Sequence, residues 1–147
     1  MADRRDPIIV EAAMPVHPSA VWKALTDQAE MIQWYFPQIP EFKPQVGFET
    51  QFVVESKGRS FTHLWKVISV VPGQSIAYSW KYLEYPGEGL VTFKLEETGD
   101  RSKVTLINEG LDSFPIEIPE FSRESCLAGW NYFLKERLAS YLQTAIT

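Results

Sequence analysis

The sequence predicts an α+β domain, and three observations carry the prediction. Apolar residues alternate with a period of two through six separate segments. Two short stretches between the first and second of these show helical spacing instead. From about Arg123 the period returns to 3.6 and runs almost to the end. Helices segregated from a run of meandering strands define that class. At 147 residues the chain has the size of one domain, and we find no internal repeat, low-complexity tract or long linker, so residues 1–147 are read as a single unit.

The first strand is Ile8 to Met14, with Ile8, Val10, Ala12 and Met14 on one face. His17-Pro18 then sets proline at the first turn of a helix, where its missing N–H costs nothing, and Val21, Trp22 and Leu25 follow at helical spacing. Asp27 with Glu30 three residues on starts a second short helix ending around Trp34-Tyr35. Pro37, Pro40 and Pro44 make Phe36 to Val46 a connecting loop. Phe48, Thr50, Phe52 and Val54 open the meander, and Lys57-Gly58 turns it into a strand carrying Phe61, His63, Trp65 and Val67. Beyond Pro72-Gly73 come Ile76, Tyr78, Trp80 and Tyr82. Pro86-Gly87 and Gly89 punctuate before Val91, Phe93 and Leu95, and Gly99-Asp100 turns into Val104, Leu106 and Asn108. Leu111 to Ser122 is an acidic loop with Pro115 and Pro119, and the chain finishes in one long helix.

Composition excludes several functions. A net charge of −5, with fourteen Lys and Arg scattered along the chain, leaves no basic stripe to displace phosphate counterions, so nucleic acid is not an expected partner. The single Cys126 cannot form an internal disulfide, no apolar stretch reaches the roughly 18 residues of a membrane span, and MADRRDPIIV has no signal-peptide core; a cytoplasmic location is the expectation. Two His and one Cys far apart supply no zinc ligand set. Neither a glycine-rich phosphate loop nor a GxSxG elbow occurs, so no cofactor is expected. Aromatic residues, however, reach 14%, with five Trp and nine Phe, which calls for a thick core or a ligand surface.

Val21 to Asp27 (VWKALTD) followed by Trp34, then Gly47-Phe48, His63 to Val67 running to Pro72-Gly73, Val91-Thr92-Phe93, and Gly129-Trp130 with Phe133-Leu134 resemble the SRPBCC, or START-like, superfamily. The branch resembled is the C-terminal domain of the activator of the heat-shock-protein-90 ATPase. The resemblance covers nearly the whole chain in order. It implies a helix-grip fold, a curved six-stranded antiparallel sheet with two short helices wrapped on a long C-terminal helix, enclosing a cavity. It implies little about chemistry, because carriers, cyclases and chaperone-linked proteins share that scaffold.

Alternation turns Phe48, Phe52, Phe61, Trp65, Tyr78, Trp80, Val91, Phe93 and Leu106 inward, and a helix projected at 100° per residue presents Cys126, Leu127, Trp130, Phe133, Leu134, Arg137, Leu138 and Tyr141 along one face. Two readings compete, a solid aromatic core and a pocket lined by Phe48, Phe52, Phe61, His63, Trp65, Tyr78, Trp80, Phe93, Asn108, Trp130, Phe133, Arg137 and Tyr141. Arg137 either snorkels along the helix edge or reaches inside to bind a ligand carboxylate. His63 is either a satisfied core residue or a ligand partner and general base. Asn108, Tyr78 and Tyr82 are candidates to orient a ligand by their polar tips, while Cys126 reads as a small buried hydrophobe. Phe114 to Phe121 holds four apolar residues in a loop, the composition of a lid or of a homodimer contact.

The function expected is binding of a small apolar molecule, lipid-like or aromatic, in the cavity. An enzyme of the cyclase or hydrolase kind using His63, Arg137 and a tyrosine is the alternative, and a chaperone-linked or stress-related interaction module is the third. No catalytic residue is assigned.

Overall fold

The computed structural model describes residues 5–145. Alternation decides the first element. Strand β1 (Ile8–Met14) buries every second residue, and Ile9, Glu11 and Ala13 between them face water. His17 caps helix α1 (Pro18–Thr26), its Nδ1 accepting from Ser19 N at 3.2 Å. Asp27 caps α2 (Gln28–Trp34) by accepting from Ala29 N at 3.2 Å. Each cap satisfies a first-turn N–H that has no partner inside its helix. The two short helices pack on each other through Trp34, whose indole N–H donates to Ala24 O at 2.8 Å.

Five further strands follow: β2 (Glu49–Ser56), β3 (Arg59–Val71), β4 (Ser75–Tyr82), β5 (Gly89–Thr98) and β6 (Arg101–Glu109). All pairs are antiparallel, in the order β1-β6-β5-β4-β3-β2, so β6 returns beside β1 and the meander closes on the first strand. The register slips by one residue between Val67 and Ser69, a bulge at Ile68 that re-phases β3. Val70 rather than Ser69 then packs against the core. Bulges of this kind bend a strand and increase its twist, as a sheet wrapping a helix requires.

Ser122 caps the C-terminal helix, accepting from Ser125 N at 3.1 Å. The helix is α-helical as α3 (Arg123–Asn131), π-helical over Tyr132–Leu138, and α-helical again as α4 (Ala139–Ala145). Trp130, Leu134, Leu138 and Leu142 are its buried residues, spaced by four. In a 3.6-residue helix a spacing of four drifts by about 40° per step. The π segment, where Ala139 N–H reaches back five residues to Leu134 O, holds more residues per turn and offsets that drift, keeping one leucine stripe against the sheet. No helix among the described residues is long and apolar enough to cross a membrane.

The expected six strands, two short helices and terminal helix are present in the expected order. The loop expected to be polar, Leu111 to Ser122, instead forms two 3₁₀ turns, Leu111–Ser113 and Pro119–Phe121, and buries Leu111, Phe114 and Phe121.

Candidate functional site

Cross-strand register assembles the site. On the inner face His63 stands opposite Phe52 on one side and Tyr82 on the other, Trp65 opposite Trp80, and Trp80 opposite Gly89. Gly89 leaves room on β5 that a side chain would fill: a Cβ there would lie 3.1 Å from Glu109 O and 3.4 Å from the Phe114 ring. Across from the sheet, Cys126, Gly129 and Phe133 share one face of the helix at i, i+3 and i+7. A Cβ on Gly129 would meet nothing within 4 Å. Gly89 on the sheet and Gly129 on the helix both line an aromatic-walled cavity of about 160 Å³.

Trp80 and Trp130 meet edge to face at 5.7 Å on the cavity wall, and Phe36, from the loop after α2, packs on Phe133 at 5.0 Å. Leu111, Phe114 and Phe121 close the top, with Tyr82 5.4 Å from Phe114 and 5.0 Å from Phe121. This lid is tied down at both ends. Gly110 takes a left-handed φ of 84° and passes so close to the β4–β5 connection that a Cβ would lie 2.5 Å from Glu88 O. At the other end Glu120 accepts from Ser56 Oγ at 3.1 Å and from the Arg59 guanidinium at 3.2 Å, fixing the lid to the β2–β3 hairpin. Desolvation pushes the Glu120 carboxyl up, but its backbone, Ser56 and Arg59 hydrogen bonds outweigh this and hold it below the usual range.

Polar groups on the cavity wall are few. His63 Nδ1 lies 2.9 Å from its own strand's Phe61 O, and the imidazole stacks on Phe52 at 4.8 Å and 13°. A carbonyl only accepts, so Nδ1 carries the proton and Nε2 is left as an acceptor. Burial lowers the His63 pKa to about 4, against smaller upward effects of the Phe61 carbonyl and the Glu84 carboxylate, so the ring is neutral at neutral pH. Tyr82 Oη accepts the Trp80 indole N–H at 2.7 Å, leaving its own proton to donate. Burial raises the Tyr82 phenol well above its ordinary value. Asn108, opposite Val91 on one side and Ile8 on the other, adds an amide to the wall. Deeper in the core, the fully buried Tyr35 and Tyr78 hydroxyls share a hydrogen bond of 2.9 Å.

The family is decided by comparison of the sequence. The family described as "Activator of Hsp90 ATPase homolog 1-like protein" matches residues 15–143. This chain belongs to that family. A search of curated proteins finds no match. Solved structures with the same fold include protein CV1439 from Chromobacterium violaceum, 22% identical over 93% of this chain and 96% of that one, with a TM-score of 0.75. The Aha1 dimer from Colwellia psychrerythraea is 17% identical over 93% and 96%, with a TM-score of 0.69. DynU16, a putative protein in the dynemicin biosynthetic locus, is 24% identical over 95% of this chain, which spans 48% of that one, with a TM-score of 0.73.

Within this Hsp90-activator-like fold, the side chains expected to form a pocket separate into three groups. His63, Trp80, Asn108, Trp130 and Phe133 lie together on the cavity wall. Phe52, Phe61, Trp65, Tyr78 and Phe93 are buried in the solid part of the core, and Phe48 is half-buried against Phe42. Arg137 and Tyr141 lie elsewhere, and their expected place inside is corrected. Arg137 is exposed and donates to Gln33 O at 2.9 Å, beside Tyr141 in a surface groove at the end of α2. Arg137 lies one turn beyond Phe133 and off the buried stripe of Trp130, Leu134, Leu138 and Leu142, where the helix meets the end of α2. Lid residues Leu111, Phe114 and Phe121 and the spacer glycines Gly89 and Gly129 were not among the expected pocket residues. The signal for Gly129 was present in its i+3 spacing from Cys126 and i−4 spacing from Phe133.

Proposed function

We propose that this protein binds a small apolar molecule in the cavity between β4, the lid and the C-terminal helix. The observation that carries the proposal is a space of about 160 Å³ held open by Gly89 and Gly129 within an aromatic core. Close packing is the norm for protein interiors, and an apolar void of roughly 150 Å³ is large enough to take a benzene ring. Enzymatic use of the cavity has weaker support, since His63 spends Nδ1 on a main-chain carbonyl and, at a pKa of about 4, is a poor base at neutral pH. Burial of Phe114 and Phe121 within the chain supports the lid reading of their segment, leaving Ile116, 75% exposed, as its outward apolar residue. A chaperone partner is supported by the family description alone.

Titration with toluene, followed by calorimetry and tryptophan fluorescence, tests the proposal. Binding with a change in Trp80 and Trp130 emission is the expected result, and Gly129→Leu, which fills the cavity from the helix side, abolishes it. Toluene binding unaltered by a correctly folded Gly129→Leu variant would place the ligand elsewhere and overturn the assignment.

A further inference from the structure

The cavity is apolar but not featureless, and one of its polar atoms is unpartnered. His63 Nδ1–H is committed to Phe61 O, and no described residue hydrogen-bonds to Nε2. Among the described residues, Trp65 Nε1 is the only side-chain nitrogen or oxygen that is both sealed from open space and without a partner. His63 Nε2 therefore meets open space. Since the residue is only 5% exposed and lines the cavity, that space is the cavity. An acceptor lone pair there favours a ligand that brings an N–H or O–H.

The rest of the wall narrows the class. None of the residues lining the cavity is Lys, Arg, Asp or Glu, and Arg137 is committed to Gln33 O outside. A carboxylate entering the cavity would lose its hydration and meet no cation, only the neutral Tyr82 hydroxyl and Asn108 amide as donors, which return less than the desolvation of the charge costs. The flanking rings of Phe36, Trp80 and Trp130 suit a flat aromatic ligand, edge to face or offset.

We infer that the ligand class is a neutral, single-ring aromatic carrying one hydrogen-bond donor, of the phenol type, with that donor on His63 Nε2. This rests on the cavity being the binding site. It specifies the ligand further, because a purely apolar cavity of this size would prefer a hydrocarbon.

Phenol and toluene have nearly the same shape and differ in the donor, so their affinities, with benzoate as the charged comparison, test the inference by calorimetry on the full chain. The expected result is phenol binding tighter than toluene and benzoate not binding. In His63→Phe, which keeps a ring against Phe52, the ratio of phenol to toluene affinity measured on that same variant falls about tenfold, the size of one lost hydrogen bond. ¹⁵N NMR of the unaltered protein gives a second readout independent of any variant's folding: the His63 Nε2 resonance shifts on adding phenol and stays put with toluene. Toluene binding tighter than phenol with no shift at Nε2, or benzoate binding best, overturns the inference and leaves cavity binding standing. Failure of both toluene and phenol to bind removes the site itself.

Discussion

Protonating His63 would place a cation between the Phe52 ring and a cavity with no carboxylate on its wall. The facing groups are Phe36, Trp80 and the neutral Tyr82, and the charge that acts on it is the Glu84 carboxylate, itself engaged by Thr62 N at 2.8 Å and by Thr62 Oγ1. The unfolded chain takes up this proton near the ordinary histidine value of about 6.5, whereas the folded chain waits until about 4. Between those values the unfolded state binds more protons, so stability falls as pH drops from about 6.5 to 4, by about 3 kcal/mol from this residue, and is flat in this term on either side. Urea denaturation across that range should show the slope in the parent and its loss in His63→Phe; equal slopes in both would remove the assignment. The Tyr35–Tyr78 pair gives a second residue-level test. Either Tyr→Phe change strands a buried hydroxyl and should cost about 1–3 kcal/mol, while the double change removes both groups and should cost less than the sum. Additive losses would show that the 2.9 Å contact contributes nothing.

At the scale of elements, the lid and the terminal helix are where local chemistry decides whether the cavity exists. The lid starts at Gly110, whose left-handed backbone and 2.5 Å approach to Glu88 O exclude any side chain. Gly110→Ala should therefore cost more than about 1 kcal/mol and speed amide exchange across Leu111 to Phe121 before the rest of the sheet. Unchanged exchange there would mean that the lid is held by Phe114 and Phe121 packing alone. These elements also mark what the sequence could and could not convey. Strand positions followed from alternation because a half-buried strand repeats every two residues whatever its neighbours do. The bulge at Ile68 and the π segment follow from how the sheet and helix fit each other, a long-range matter that no local period encodes. Arg137, counted into the stripe at 100° per residue, lies outside in the folded chain, held by Gln33 O. Lid burial was masked by the acidic residues between Phe114 and Phe121, although four apolar residues in a loop already required something to cover.

For the whole molecule, the same aromatic excess builds both a solid core and an open end. Tyr35, Trp65, Tyr78 and Phe93 interlock with ring centroids 4.7 to 6.4 Å apart, and the cavity begins where Gly89 and Gly129 interrupt that packing. Which aromatic residues fill space and which enclose it depends on those absent side chains, so five of the thirteen expected pocket residues were legible as wall and the others as core or surface only after folding. A bound ligand at a hundred times its Kd should add about 2.7 kcal/mol to unfolding stability by mass action, which makes thermal shift a practical screen. The claim on which everything else depends is that the space is real, apolar and reachable. Xenon-pressurised crystals test it without any assumption about ligand chemistry. The structure predicts a xenon site among Trp80, Trp130 and Phe114, lost in Gly129→Leu; a crystal with side chains filling that volume, and no xenon between sheet and helix, would contradict it.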